Sequence, residues 1–152
     1  MNIRILPASP EQASALTEIA VAAKRYWGYP DRWIQIWLPQ LTISADYISE
    51  NETWVARRAD TFTAWYSLKE TGGELWLDNL WVSPGFIGEG IGRLLFQHSL
   101  ERCRLRKASL LKILSDQNAE SFYRHMGASK AGEQRGEVDG TPRILPVMEI
   151  DL

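Results

Sequence analysis

The chain has 152 residues, a length that fits one domain with a sizeable buried core. Its net charge of −2 lacks the basic excess of a surface that follows nucleic-acid phosphates. One cysteine excludes an internal disulfide, and with only two histidines beside it argues against a zinc site. We therefore expect a single domain over residues 1–152, with no metal and no nucleic-acid partner.

Membrane association is not expected from the sequence. No apolar run approaches the roughly 20 residues needed to cross a bilayer. Residues 1–12 also lack the apolar stretch of a signal peptide. The sequence therefore predicts an intracellular, cytoplasmic protein.

The first half of the chain predicts a strand, two helices and a hairpin. Residues 3–6 form a short apolar strand. Residues 9–12 (SPEQ) are typical of a helix start, and apolar residues continue at helical spacing to about residue 25. A second helix follows Asp31 and ends or kinks at Pro39, with a further helical turn at 44–49. Residues 53–59 and 61–69 read as two strands around a turn at Asp60.

The second half predicts a strand–helix–strand crossover. Residues 75–82 are almost continuously hydrophobic, which favours a central strand, and a helix over 90–107 connects them to a strand at 109–114 in parallel. A short helix at 118–125 ends before Gly127, and strands are expected at 129–137 and 144–151. The predicted fold is α/β with a mixed sheet, in the order β-α-α-β-β-β-α-β-α-β-β.

Three glycines precede the predicted crossover helix. Gly88, Gly90 and Gly92 match neither the Gly-x-Gly-x-x-Gly dinucleotide pattern nor a P-loop. Unpaired N–H groups at a helix start attract anions, and Arg93 adds further donors for a phosphate. A flexible strand-to-helix connection is the alternative, and the glycines alone do not decide between the two.

Two stretches resemble the GCN5-related N-acetyltransferase (GNAT) superfamily. Residues 80–95 (LWVSPGFIGEGIGRLL) are similar to the first signature of that family, and residues 118–128 (NAESFYRHMGA) to the second. The predicted element order agrees with the GNAT fold over the whole chain. The sequence departs from the family at Ile87, where Gln or Arg is usual, and at Gly88 and Glu89, which replace a basic pair.

The resemblance implies that acetyl-CoA is the cosubstrate. Its pantetheine arm is expected along Leu80, Trp81 and Val82. Its pyrophosphate is expected on the glycine loop, which we define as Gly88, Glu89, Gly90, Ile91, Gly92 and Arg93. Asn118 is expected to hydrogen-bond the cofactor or to cap the short helix, and Asn suits either role.

The resemblance also implies direct attack by a primary amine within a ternary complex. Tyr123 stands where the family places the proton donor to the leaving thiolate, with a core aromatic residue as the alternative. Asp78 is the candidate base, acting directly or through water, and a structural strand carboxylate is the alternative. Strict alternation along a strand would send Asp78 and Asn79 to opposite faces. Backbone N–H near Val82 is the expected oxyanion donor.

The acceptor side is read from the aromatic segment at residues 24–37. Trp27 and Tyr29 are candidate walls for a cationic amine through cation–π attraction, and core packing or dimer contacts are the alternatives. The candidate acidic groups nearby are Glu133, Glu137 and Asp139. The acceptor is either a small molecule or a protein, and the seven tryptophans are compatible with a homodimer.

Two other function classes stay open at this stage. One is a non-catalytic CoA-binding module with the GNAT fold, and the other is an unrelated α/β nucleotide-binding protein. Cys103 is expected in the core, and His98 and His125 on the surface.

Overall fold

The computed structural model describes residues 2–152 and confirms the predicted α/β fold; its element order is the predicted one with a third helix, at the helical turn expected over 44–49, before the second strand. The strands are β1 (Arg4–Pro7), β2 (Glu52–Arg58), β3 (Thr61–Thr71), β4 (Glu74–Val82), β5 (Leu110–Leu114), β6 (Ser129–Val138) and β7 (Thr141–Asp151). The helices are α1 (Ala13–Tyr26), α2 (Asp31–Leu41), α3 (Ala45–Glu50), α4 (Ile91–Leu105) and α5 (Glu120–His125). Short 3-10 turns at Pro10–Gln12, Pro84–Phe86 and Gln117–Ala119 lead into α1, the glycine loop and α5.

Local signals set most helix ends. The backbone N–H of Ser9 donates to Oε1 of Gln12 at 3.0 Å, as expected for a helix start. The side chain of Ser44 accepts the N–H of Tyr47 and caps α3. Pro39 does not end α2, which runs on to Leu41; it removes one backbone donor, the N–H that would bond to the carbonyl of residue 35, in the last turn of the helix.

Two apolar layers sandwich the sheet. Helices α1 and α3 cover one face through Leu16, Ile19, Ile48 and the buried Trp65, and the indole N–H of Trp65 donates to the Leu16 carbonyl at 2.8 Å. Helices α4 and α5 cover the other face through a larger cluster that includes Leu95, Phe96, Cys103, Tyr66 and Met148. Cys103 is thus a core residue, as predicted.

The two histidines differ in environment. His125 is exposed, as predicted, but His98 is half-buried, because its Nδ1 lies 2.6 Å from the Tyr66 hydroxyl and its ring packs on Trp54. Burial lowers the pKa of His98 below its usual range. The prediction of a surface position for His98 is therefore wrong.

The sheet has seven strands in the order β1-β2-β3-β4-β5-β7-β6, with β4 at its centre. Strand β4 pairs with β3 along its length but with the parallel β5 only at Trp76 and Lys112. Beyond that pair the two strands separate. The last residues of β4 therefore keep one edge free of β5, and this gap positions the candidate site.

Strand β4 also contains a β-bulge. Asn79 lies opposite Ser67 and Leu77 lies opposite Leu68, so Asp78 is an extra residue without a partner on β3.

Among residues 2–152, no helix combines the length and the apolar character that a membrane crossing requires.

Candidate active site

A cavity of about 470 Å³ occupies the gap between β4 and β5. It is bordered by the last residues of β4, the glycine loop, the start of α4, the end of β5 and α5. Most of the predicted site residues line it, namely Trp27, Asp78, Leu80, Trp81, Val82, Gly88, Gly90, Ile91, Gly92, Arg93, Asn118 and Tyr123. Glu89 and Tyr29 are the two predicted site residues that are not among its lining residues.

Two of the glycines are required by backbone conformation. Gly88 and Gly90 have φ of +87° and +83°, in the left-handed region that disfavours side chains. Helix α4 begins directly afterwards, with the Leu94 N–H donating to the Gly90 carbonyl at 3.1 Å. The N–H groups of residues 91–93 precede this first helical bond, and these residues line the cavity.

The third glycine, Gly92, has no left-handed backbone, and a side-chain Cβ atom would fit there at ordinary contact distances. A Cβ atom on Gly92 would lie 3.5 Å from Cγ2 of Val82 and 3.7 Å from the ring of Phe122. The first turn of α4 therefore packs against β4 and α5 at this point, beside the cavity that Gly92 lines.

The charge of Glu89 is paired on the outer side of the loop. Nη2 of Arg58 lies 2.6 Å from Oε1 of Glu89, and the Arg58 guanidinium also lies over the Phe86 ring. The acidic departure from the family pattern is therefore neutralised by a cation from β2. Ile87 is half exposed and lines the cavity, where it presents an apolar group.

Tyr123 combines core packing with a position on the cavity wall. Its ring packs against Phe96 and Phe122, with centroids 5.7 and 5.2 Å away. Burial, and secondarily the Asp116 carboxylate, raises the pKa of the Tyr123 phenol above its ordinary value of 10.0. The phenol therefore stays protonated at neutral pH.

The bulge in β4 brings two neighbouring polar side chains to one partner. The Tyr47 hydroxyl donates to Oδ2 of Asp78 and accepts from Nδ2 of Asn79 at 3.2 Å. Its oxygen also lies 2.8 Å from Oγ of Ser67. Burial and the hydrogen bond to Asp78 raise the pKa of Tyr47, so its proton stays in place to hold the carboxylate.

Tyr29 lies in a polar and aromatic cluster that we call the Asp116 cluster, consisting of Lys24, Tyr29, Trp37, Asp116, Asn118 and Arg143. The Tyr29 hydroxyl donates to Asp116 at 2.9 Å and accepts from Asn118 at 2.9 Å and from Arg143 at 3.0 Å. Lys24 forms an ion pair with Asp116 at 2.6 Å. Both cations also lie within about 5 Å of the Tyr29 and Trp37 ring centroids.

The Asp116 cluster changes the electrostatics of its members. Burial alone would raise the pKa of Asp116, but Lys24 and the hydrogen bonds from Lys24, the Asn118 N–H and Tyr29 hold it below its ordinary value. Burial lowers the pKa of Lys24, partly offset by Asp116. Burial and the Asp116 carboxylate raise the pKa of Tyr29 to about 12.

The acidic groups predicted for the acceptor side are engaged elsewhere in two of three cases. Glu133 pairs with Lys130 at 2.6 Å, and Asp139 pairs with Arg32 at 2.8 Å. Glu137 is exposed on β6. The Tyr29 ring already contacts two cations of the protein, Lys24 and Arg143. The Trp27 side chain, in contrast, is 44% exposed and lines the cavity, so it is free to contact an acceptor.

Sequence reasoning missed Tyr47, Lys24, Asp116 and Arg143. Of these, only Asp116 has a local signal, since an aspartate two residues before Asn118 at the end of a strand is typical of a helix cap, and its side chain accepts the Asn118 N–H at 2.8 Å. Within residues 2–152, no group of three His, Cys, Asp or Glu side chains is arranged to hold a metal ion.

The chain is similar in sequence to known acetyltransferases. The model of a family described as an acetyltransferase (GNAT) domain matches residues 49–127, which is more than half of the chain. Peptidyl-lysine N-acetyltransferase YjaB of Salmonella typhimurium is 29% identical over 108 residues, covering 70% of this chain and 68% of that protein.

Solved structures show the same fold. A GCN5-related N-acetyltransferase from Rhodopseudomonas palustris matches with a TM-score of 0.84 and 21% identity, covering 100% of this chain and 97% of the other. The PaiA N-acetyltransferase from Thermoplasma acidophilum, solved with coenzyme A, matches with a TM-score of 0.76 and 20% identity over the whole of both chains. The chain belongs to the GNAT acetyltransferase family.

Proposed function

We propose that the protein is an N-acetyltransferase that transfers an acetyl group from acetyl-CoA to a primary amine of a small molecule or a protein, by direct attack in a ternary complex. One observation carries the proposal. The free edge of β4, the first turn of α4 and the buried phenol of Tyr123 border a single cavity between the separated strands.

The residues around this cavity fit coenzyme A. The N–H groups at the start of α4 and the guanidinium of Arg93 suit a diphosphate, and the left-handed glycines leave open space where side chains would otherwise project. The edge of β4 at residues 80–82 offers backbone donors and acceptors to the amides of pantetheine. Acetyl-CoA, when bound, supplies an activated thioester.

The chain itself supplies the acid and the base. Tyr123 holds a proton that passes to the leaving sulfur as the carbon–sulfur bond breaks. The amine nitrogen forms the new bond to the acetyl carbon and releases a proton, which Asp78 takes directly or through water. The backbone N–H near Val82 stabilises the negative charge that develops on the carbonyl oxygen.

For the acceptor, we propose a primary amine that enters beside Trp27. Trp27 lines the cavity and its ring packs edge-on against Tyr26, so the two aromatic residues form an exposed rim. The related YjaB protein is named for peptidyl-lysine acetylation, which supports including a lysine side chain among the acceptors to be tested.

Ligand binding and turnover together test the proposal. Thermal shifts are measured with acetyl-CoA, NAD and ATP in parallel, and release of free CoA thiol is then followed with lysine-containing peptides and small primary amines. Ligand at 100 times its Kd adds about 2.7 kcal/mol of stability. We expect a shift with acetyl-CoA alone and amine-dependent thiol release. Equal shifts in melting temperature with NAD or ATP would contradict the assignment of acetyl-CoA as the cosubstrate. Binding of acetyl-CoA without turnover on any amine would favour a non-catalytic CoA-binding module.

A further inference from the structure

Asn118 has both hydrogens of its side-chain amide engaged on one side. Its Nδ2 donates to the Tyr29 hydroxyl at 2.9 Å and to Oδ1 of Asp116 at 3.0 Å. The opposite orientation of the amide would place its carbonyl oxygen against the Asp116 carboxylate, where two acceptors would repel. The contacts therefore allow one orientation of the Asn118 amide.

The Tyr29 hydroxyl is saturated in the same network. It donates its only hydrogen to Asp116, and its oxygen accepts from Asn118 and from Nη2 of Arg143 at 3.0 Å. It therefore has no capacity left for a ligand. Nζ of Lys24 and Cζ of Arg143 lie 5.1 and 5.0 Å from the centroid of the Tyr29 ring. The ring also packs against Trp33 and Trp37.

The network is anchored from several directions. Lys24 is on α1, Asp116 follows β5, and Arg143 is on β7, and the side chains of these three residues are only 10–12% exposed. A buried charge cluster with this many partners holds its geometry more firmly than a single surface contact does. Asn118 is its exposed member and the one that lines the cavity together with Asp116.

We infer that Tyr29 and Asp116 are positioning residues that fix the Asn118 amide with its carbonyl oxygen toward the cavity, where it accepts a hydrogen bond from an N–H or O–H group of coenzyme A. This inference rests on the proposed function. It assigns Tyr29 to the cofactor side of the site, and it separates Tyr29 from Trp27, the other aromatic residue expected to contact the acceptor.

A double-mutant cycle tests whether Tyr29 acts through Asn118. The Kd of coenzyme A is measured by titration calorimetry for the wild type, Tyr29→Phe, Asn118→Ala and the double variant. A hydrogen bond of ordinary net strength predicts that each single change raises Kd by about threefold to tenfold. We expect the double variant to bind no more weakly than Asn118→Ala, since Tyr29 has no other route to the ligand.

Matched controls separate positioning from general damage. Tyr66→Phe removes another buried tyrosine hydroxyl, one bonded to His98, and should leave Kd unchanged. In steady-state kinetics, Tyr29→Phe should raise KM for acetyl-CoA and leave KM for the amine unaltered, provided that its melting temperature confirms folding.

The outcomes are distinguishable. Additive losses in the cycle, a wild-type Kd in Tyr29→Phe or in Asn118→Ala, or an effect confined to KM for the amine each overturns the inference while leaving the acetyltransferase proposal in place. A wild-type protein that does not bind coenzyme A overturns the proposed function itself.

Discussion

The Tyr47 hydroxyl donates a hydrogen bond to the carboxylate of Asp78, a residue 31 positions later in the chain. Tyr47 comes from the short helix α3, and Asp78 is the extra residue of the bulge in β4. Because Asn79 and Ser67 contact the same hydroxyl, Tyr47 joins the bulge to the neighbouring strand β3. The candidate base is therefore held from outside its own strand.

Removing this hydroxyl should slow the chemical step. Tyr47→Phe leaves Asp78 without its donor, so we expect kcat to fall about tenfold with KM for acetyl-CoA unchanged. Asp78→Asn should cost more, and its rate should recover with rising pH as the amine substrate loses its own proton in solution. Steady-state kinetics of both variants and of the double variant check this.

A matched change on the same hydroxyl provides the control. Ser67→Ala removes a neighbour of Tyr47 that does not contact Asp78. We expect a smaller loss of kcat than in Tyr47→Phe. Equal rates for the wild type and Asp78→Asn across the pH range would show that Asp78 has a structural role only.

Tyr123→Phe tests the proton donor. The ring packing is retained and the hydroxyl is lost, so we expect kcat to fall by about 10²–10⁴-fold while coenzyme A binding changes little. Because burial raises the pKa of Tyr123 above 10.0, the donor form persists from neutral pH up to at least that value. Deprotonation of Tyr123 should therefore not limit the rate below about pH 10.

The measurement is kcat as a function of pH, with Tyr66→Phe as a buried-tyrosine control. A Tyr123→Phe enzyme with wild-type kcat would leave Tyr123 as a core aromatic residue.

Arg58 is predicted to protect the glycine loop from a negative charge. Arg58→Ala leaves Glu89 unpaired beside the expected diphosphate site, so we expect Kd for coenzyme A to rise about threefold to tenfold, and more at low ionic strength. The melting temperature should change little, because both side chains are more than a third exposed.

Charge repulsion is identified by reversal. In the Arg58→Ala background, Glu89→Gln should restore most of the affinity, as measured by calorimetry at two salt concentrations. Failure of this rescue would mean that Arg58 acts through its packing on Phe86.

Gly90→Ala should destabilise the fold through the backbone alone. The position has φ of +83°, and a Cβ atom there would have no atom within 4 Å, so the expected cost is about 1–2 kcal/mol of unfolding free energy. Gly85→Ala is the matched control, since Gly85 lies nearby in open space without a positive φ. Urea unfolding of the two variants measures the difference, and equal stabilities would contradict the requirement for glycine at position 90.

The carboxylate of Asp116 should make stability depend on acid pH. Its pKa is lowered in the folded state, so its stabilising effect is complete above the unfolded value near 3.9 and is lost as pH falls through the lower folded value. Asp116→Ala leaves Lys24 and Arg143 without their shared anion, and we expect a loss of about 3–5 kcal/mol at pH 7.

Urea unfolding at pH 7 and near pH 3 measures this effect. The difference in unfolding free energy between the wild type and Asp116→Ala should be smaller at the lower pH. Asp60→Ala, which removes a fully exposed carboxylate paired with Arg57, is the control that should change stability by less than about 1 kcal/mol at either pH. If this difference in unfolding free energy is the same at both pH values, Asp116 does not stabilise the fold through its charge.

Local patterns were enough to predict the elements and part of the site. The hydrophobic run at 75–82 predicted the central strand, and the glycine loop and Asn118 to Tyr123 each lie within a few consecutive residues. Tyr47, Lys24 and Arg143 have no such signal, because they reach the site from α3, α1 and β7 through tertiary packing alone. The bulge at Asp78 was also inaccessible, since it exists only in the register between β4 and β3.

Because β4 and β5 pair only at Trp76 and Lys112, the sheet is interrupted at its middle. Strands β1 to β4 form one hydrogen-bonded part of the sheet and strands β5 to β7 form the other, and a single residue pair joins the two parts. The candidate site is thus a gap between two strands of the sheet rather than a pocket on a continuous sheet. We therefore expect a ligand that hydrogen-bonds to the free edge of β4 to bridge the two parts of the sheet and to stabilise both.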